Sequence, residues 1–277
     1  MSTRINTNVL SLTAQRNLQT HQLGLDRAVA RLSSGLRINN AWDDPAGLAV
    51  SERFRAQIAS MQEAERNANT NINLMSTAEG ALGTLDSILV RMRALAIQAS
   101  NGALNVTDRE ALDVEYQQLK SEVDRVARIT NYAGVYLLDG SFSSNGLKFH
   151  IGIDNNALED YYYVNLASMT ATDLGIDATA LTSTASSQAA LAVIDAAVTS
   201  KDAERSRIGS YVERLQNTIY GLQMARENAV RSESQIRDAD VAAEMSDFVR
   251  SQVLMQTGVA MLTQANMVPQ IVAQLVG

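Results

Sequence analysis

Apolar residues recur at steps of three or four along one very long stretch: Val50, Phe54, Ile58, Met61, Ala64, Ala68, Ile72, Met75, Ala78, Leu82, Leu85, Leu89, Met92 and Ala96. Val50 to Ala96 is 46 residues in 13 steps, a mean period of about 3.54, which falls between the coiled-coil and straight-helix values. The pattern predicts one helix from Pro45 to about Gln98 with a single narrow apolar stripe. Asp44 before Pro45 is a start signal, a capping side chain ahead of a proline at the first helical position. At about 1.5 Å per residue the rod is roughly 75–80 Å long. A helix of that length needs helical partners along it.

The same reading supplies the partners. Ile5, Val9 and Leu12, then Leu25, Val29, Leu32 and Leu36, the two groups separated by the polar stretch Thr13 to Gln22, predict an amphipathic N-terminal helix ending near Ser33-Ser34-Gly35, with Gly35 as a left-handed stop. Residues 36–44 form a connector. After Ser100-Asn101-Gly102, Thr107 and Glu110 predict a capping box for a helix over about 108–129. Leu112, Tyr116, Leu119, Val123, Val126 and Ile129 form its seam. The short loop before it implies an antiparallel hairpin. Helix resumes after Thr184 or Ser186 and runs through Ile194, Ile208, Val212, Leu215, Ile219, Leu222 and Ala229, with Glu204, Arg205, Arg207, Glu213 and Arg214 expected on its other faces. It is the natural partner of the 45–98 rod.

Between them the period changes to two. Val135 to Leu138, Leu147 to Ile151 and Tyr161 to Leu166 predict short strands, set off by Gly140-Ser141, Asp154-Asn155-Asn156 and Ser168 to Asp173. The expected fold is mainly α: long antiparallel coiled-coil helices drawn from both chain ends, with a small β-hairpin region in the middle. Composition agrees, since 46% of the 277 residues are hydrophobic but only 5% are aromatic, and prolines number two. Such a mix favours helix pairs over a compact globule.

Charge and chemistry narrow the function. A net charge of −7 argues against binding nucleic acid or an anionic membrane. Zero cysteines remove disulfides and thiolate metal sites. The polar residues Met1 to Asn8 predict no secretory signal peptide. Only His21 and His150 are present, with no HExxH, Walker loop or GxGxxG, so no catalytic, cofactor or metal site is predicted. Adjacent Asp43 and Asp44 read as a helix start, and Asn105-Val106-Thr107 as the loop before a helix.

The C-terminal 27 residues after Arg250 carry no charge. Their glutamines make the stretch too polar for a membrane span, so no membrane insertion is expected. At 100° per residue, Gln252, Gln256, Thr263, Asn266, Gln270 and Gln274 fall in one stripe about 80° wide, with Leu254, Met261, Val268, Val272 and Leu275 on the opposite side. Val259 breaks the pattern, and Pro269 shifts the phase beyond it. Solvated helix faces normally carry charge. A neutral polar stripe fits a wall facing a confined aqueous space, and these six residues are candidate channel-lining positions.

With those residues in view, the chain resembles bacterial flagellin. The stretches that carry the resemblance are Ile5-Asn6-Thr7-Asn8, Arg31 to Asn39 (RLSSGLRIN), Asp43 to Ala49 (DDPAGLA), Ile236 to Asp240 (IRDAD) and Ala260 to Asn266 (AMLTQAN). It covers roughly residues 1–140 and 185–277, in the family's order. It implies an inner domain of paired terminal helices, here 1–44 with 236–277, and a coiled-coil domain, here 45–235, with a short variable β region at 141–184 where longer members carry outer domains. The chain is thus expected to be a minimal flagellin. It would be a structural subunit and not an enzyme, self-assembling outside the cell into the flagellar filament that propels the bacterium.

The same resemblance implies passage unfolded through the flagellar type III export apparatus with a secretion chaperone, and contact with cap and hook-associated proteins. The terminal helices would order on assembly, making Ile5, Val9, Leu12, Val29, Leu32, Leu254, Met261, Val268, Val272 and Leu275 self-assembly residues. Arg91, Leu95 and Glu115 match positions that contact the flagellin-recognising toll-like receptor, although Ala94 replaces an acidic residue typical of recognised members. Two alternatives stay open: a hook–filament junction protein of the same superfamily, and a flagellin with an additional binding role.

Overall fold

Asn8 and Gly35 bracket the first helix. In the computed structural model, which describes residues 7–276 but not the side chains of Pro269 and 272–276, α1 covers Val9–Ser34. The Asn8 side chain accepts a hydrogen bond from the Ser11 N–H at 3.1 Å. Gly35 closes the helix with φ 71°, donating its N–H to Arg31 O. The helix runs through the polar residues 13–22 to the stop expected at Gly35, because they change the chemistry of a face and not the backbone preference. α2 covers Pro45–Ala99, α3 Val106–Ile129, α4 Thr184–Arg237 and α5 Val241–Val276. Between α3 and α4 lie two antiparallel hairpins, β1 (Asn131–Tyr132) with β2 (Val135–Tyr136), and β3 (Leu147–His150) with β4 (Tyr161–Val164).

Packing divides the chain into two units, one comprising residues up to Ile58 with those from Glu227 onward, the other Ala59–Arg226. Residues 45–58 and 227–235, assigned by sequence to the coiled-coil layer, group here with the chain ends.

The second unit carries the main core. From Met61 onward, Met61, Ala64, Ala68, Met75, Ala78, Leu82, Leu85, Leu89, Met92 and Ala96 are all buried, as the stripe on α2 requires. Tyr116, Val123 and Val126 of α3 and Ile194, Ile208 and Leu215 of α4 meet them, with Leu138, Phe149 and Leu166 from the β region. Ile129 is exposed. It is the last residue of α3, where the chain already turns toward β1. The capping box falls two residues earlier than the sequence suggested. Asn105 accepts from the Asp108 N–H at 2.8 Å and Asp108 accepts from the Asn105 N–H, in place of Thr107 and Glu110. Both spacings satisfy the motif, and the earlier one adds Val106 and Thr107 to the helix.

Glu204 is the clearest departure from the expected faces. It is 1% exposed, at the same seam as Ile194 and Ile208, and Lys201 three residues earlier is buried too. Each has partners: Lys201 bridges Asp86 and Asp202, and Glu204 pairs with Arg207 at 2.9 Å and accepts the Ala167 N–H at 3.2 Å. Asp113 takes the Leu181 N–H at 2.6 Å and Asp124 the Ala171 N–H at 2.7 Å. These carboxylates from α3 and α4 pin the strandless 166–181 segment, whose buried backbone donors would otherwise lack acceptors. The β3–β4 loop is held likewise. Asp160 accepts the N–H of Asn156 at 2.9 Å and of Asp154 at 3.2 Å, and these backbone donors hold its carboxyl below the usual carboxylate range. A Cβ at Gly152 would stand 1.9 Å from an Asp160 carboxylate oxygen.

Candidate functional site

The first unit is organised by small residues. Among the less exposed positions on α1 are Ser11, Ala14, Leu18, His21, Leu25, Ala28 and Leu32, with Gly24, Ala30 and Arg31 beside them, and on α5 they are Glu244, Phe248, Ser251, Met255, Gly258, Leu262 and Ala265. The rows Ser11 to Leu32 and Glu244 to Ala265 repeat at alternating steps of three and four, a coiled-coil heptad. The pair runs antiparallel, since Arg31 bridges Glu244 at 2.9 Å near one end and the Asn8 amide donates to Ala265 O at 2.8 Å near the other. Cα atoms of the two helices come within 8 Å along the pair, closer than the Leu- and Met-lined helices of the second unit. Gly258 makes this approach possible. A Cβ there would meet Leu18 Cδ2 at 2.8 Å, and one at Gly24 would meet Ser251 Oγ at 3.4 Å.

Below the pair, the chain ends are tied by backbone. Leu36 bridges Asp238, the Arg37 N–H donates to Arg237 O at 2.7 Å, and the Ala239 N–H donates to Gly35 O at 2.9 Å. The connector turns on Asp43, which accepts the Asn40 N–H at 2.9 Å, and on Asp44, which accepts the Gly47 N–H at 2.9 Å. Ile38 is buried beneath this turn. A Cβ at Gly47 would meet Asp44 Oδ2 at 2.3 Å and Ile38 Cδ1 at 2.8 Å, which accounts for the glycine in DDPAG. Arg237 also reaches Glu52 at 2.7 Å. Its guanidinium, with Arg55 second, holds the Glu52 carboxyl below the usual carboxylate range. A depressed folded-state pKa means that this tie is in full effect above the ordinary carboxylate pKa and is lost as pH falls through the depressed one.

This geometry sorts the residues singled out by sequence. On α1, Val9, Leu12 and Val29 are exposed, while Leu32 is half-buried. The seam on α5 instead alternates Phe248, Met255 and Leu262 with the small residues Ser251, Gly258 and Ala265, which a search for large apolar side chains passes over. On α5, Leu254, Met261 and Val268 are exposed. Gln252, Gln256, Thr263, Asn266 and Gln270 are exposed too. At 100° per residue the α1-facing row lies between these two sets, so α5 has a packed face flanked by an apolar side and a neutral polar side. Ile5 and the side chains of Val272, Gln274 and Leu275 lie outside the described residues. In the second unit, Arg91 and Glu115 pair on the surface at 2.7 Å. Leu95 is 1% exposed and part of the core, so a partner docking on that face meets the charged pair and not Leu95. Among the described residues, no His, Asp and Glu side chains gather as a metal site, and no helix is long and apolar enough to cross a membrane.

The matches with known proteins take in the paired ends and most of the chain between them. Residues 5–143 match the profile of the bacterial flagellin N-terminal helical region, and residues 191–276 that of the C-terminal helical region. A flagellin of Halalkalibacterium halodurans is 40% identical, the alignment covering 98% of each chain. The flagellar filament core protein flaB2 of Brachyspira hyodysenteriae is 38% identical over 96% of this chain and 97% of its own. The flagellin of Bacillus subtilis is 36% identical over 98% of this chain and 99% of its own. With both terminal regions matched and relatives of this identity aligned nearly end to end, the chain belongs to the bacterial flagellin family.

Proposed function

We propose that this chain is the repeating subunit of a flagellar filament, polymerising with copies of itself through α1 and α5. One observation carries the reading. The two helices cover only one narrow face of each other, and Val9, Leu12, Leu254, Met261 and Val268 lie outside it, exposed. Apolar side chains spaced along a helix and turned from the helix it packs on fit further helices, and identical subunits supply them. The role is structural and not catalytic. Electron microscopy of purified monomer added to short filament seeds tests it: long tubular filaments are expected, and ends that stay capped or fail to grow would favour a junction protein.

Family membership supports the remaining partners. The subunit works outside the cell, reaching the filament tip through the flagellar export apparatus with a secretion chaperone, and meets cap and hook-associated proteins there. A toll-like receptor docking on the second unit would engage Arg91 and Glu115. The neutral side of α5 is read as the lining of the export channel, since Gln252, Gln256, Thr263, Asn266 and Gln270 offer passing chains neither attraction nor repulsion of charge. Gln256→Lys is then expected to elongate seeds in vitro at the wild-type rate yet give shorter filaments on cells, where subunits travel the lumen. Equal shortening in both settings, or in neither, would make the stripe a subunit contact instead.

A further inference from the structure

Trp42 is the chain's one tryptophan, and it is 79% exposed. It stands on the connector between α1 and α2 and, with Leu23 and Ala30 of α1, lines a groove of about 200 Å³ whose charged residues balance, Asp26 and Asp43 against Arg27 and Arg31. The connector does not need it. Ile38 fills the interior of the turn, and Asp43 and Asp44 fix its backbone. A tryptophan contributes about 150–250 Å² when covered, and tryptophans set in a pocket are the residue type most enriched among binding hot spots.

Two features of the chain identify what covers it. Leu23 at the groove shares the side of α1 turned from α5 with Leu12 and Val9, all three exposed; over those residues the helix runs roughly 21 Å, an elongated surface suited to another helix. Charge selects the partner. Residues 1–44 hold five arginines against three aspartates, a balance of +2, whereas the whole chain carries −7, leaving −9 on the remainder. Most surfaces of two copies therefore repel, while this segment of one copy is attracted to the remainder of another.

We propose that Trp42 with its groove is an anchor between subunits, the indole of one copy being covered by a second copy of this chain. A patch on one copy meeting a different patch on the next is the heterologous contact that open helical polymers require. The inference rests on the filament-subunit reading and names a contact within it.

The lone indole reports on itself. Fluorescence excited at the red edge, where tyrosine does not absorb, is followed while wild-type monomer is added to seeds, with iodide as quencher. The expected result is a blue shift and loss of iodide quenching as filaments grow. Trp42→Ala, with monomer circular dichroism and melting unchanged, raises the critical concentration about 30-fold, the factor equivalent to a hot-spot loss of about 2 kcal/mol. Trp42→Phe retains most of the wild-type growth. Filaments whose tryptophan emission and quenching match the monomer's would overturn the anchor while leaving the filament reading intact, as would Trp42→Ala assembling at the wild-type concentration. Absence of any wild-type growth on seeds would overturn both.

Discussion

Met261→Gln and Leu254→Gln are expected to suppress seeded filament growth while leaving the monomer's second unit as stable as the wild type. In the single chain Met261 is 62% exposed and Leu254 39%, so Met261→Gln removes little burial from the monomer, and any loss from Leu254→Gln falls on α5 and not on the second unit. In the filament both would be covered. Burying a Leu or Met side chain is worth about 1.5–3 kcal/mol, and an amide placed there without a partner adds about 1–3 kcal/mol of cost. Even the lower sum, about 2.5 kcal/mol, raises the critical concentration by nearly two orders of magnitude. Sedimentation of seeded reactions at increasing monomer concentration reads this directly. Wild-type growth by both variants would mean that this side of α5 is not a subunit contact.

Leu89→Ala is expected to do the reverse. Leu89 is fully buried where α2 meets the rest of the main core, and removing a buried leucine costs about 2–5 kcal/mol through lost transfer energy and the cavity left behind. Monomer unfolding followed by helical circular dichroism should show that loss. At temperatures where the variant remains folded, its seeded growth should match the wild type, because α1 and α5 are untouched. A loss of assembly without a loss of stability would contradict the division of labour between the two units.

Particular residues explain what could be read in advance. The α2 stripe was legible because Leu, Met and Ala recur there without a break and proline is absent after Pro45. The α1–α5 seam was not, since its close approach depends on Ala14, Ala28, Ser251, Gly258 and Ala265, side chains with little hydrophobic signal whose value lies in being small. The large apolar residues Val9, Leu12 and Val29 lie off that seam and are exposed in the single chain, where residues that wait for another subunit belong. Lys201 and Glu204 sit at seam positions that charge alone assigns to water; only the loop carrying Ala167 and the nearby Asp86 reveal why they are inside. The capping box shifted because Asn105–Asp108 and Thr107–Glu110 both fit the spacing, and one sequence cannot choose between two overlapping starts. Trp42 belongs to no periodic pattern, so its exposure emerges only from the fold of the connector.

The claim that the chain ends do the assembling is tested most directly by limited proteolysis of one preparation as monomer and as filament. Ala28 is the one described residue of α1 that is buried in the single chain, so the pairing of α1 with α5 gives both helices little protection against local opening. The account predicts rapid loss of both ends from the monomer, leaving a resistant fragment of about 45–230, and survival of the full-length chain in the filament. Ends that resist cleavage in the monomer, or that are cut equally fast in the filament, would contradict it.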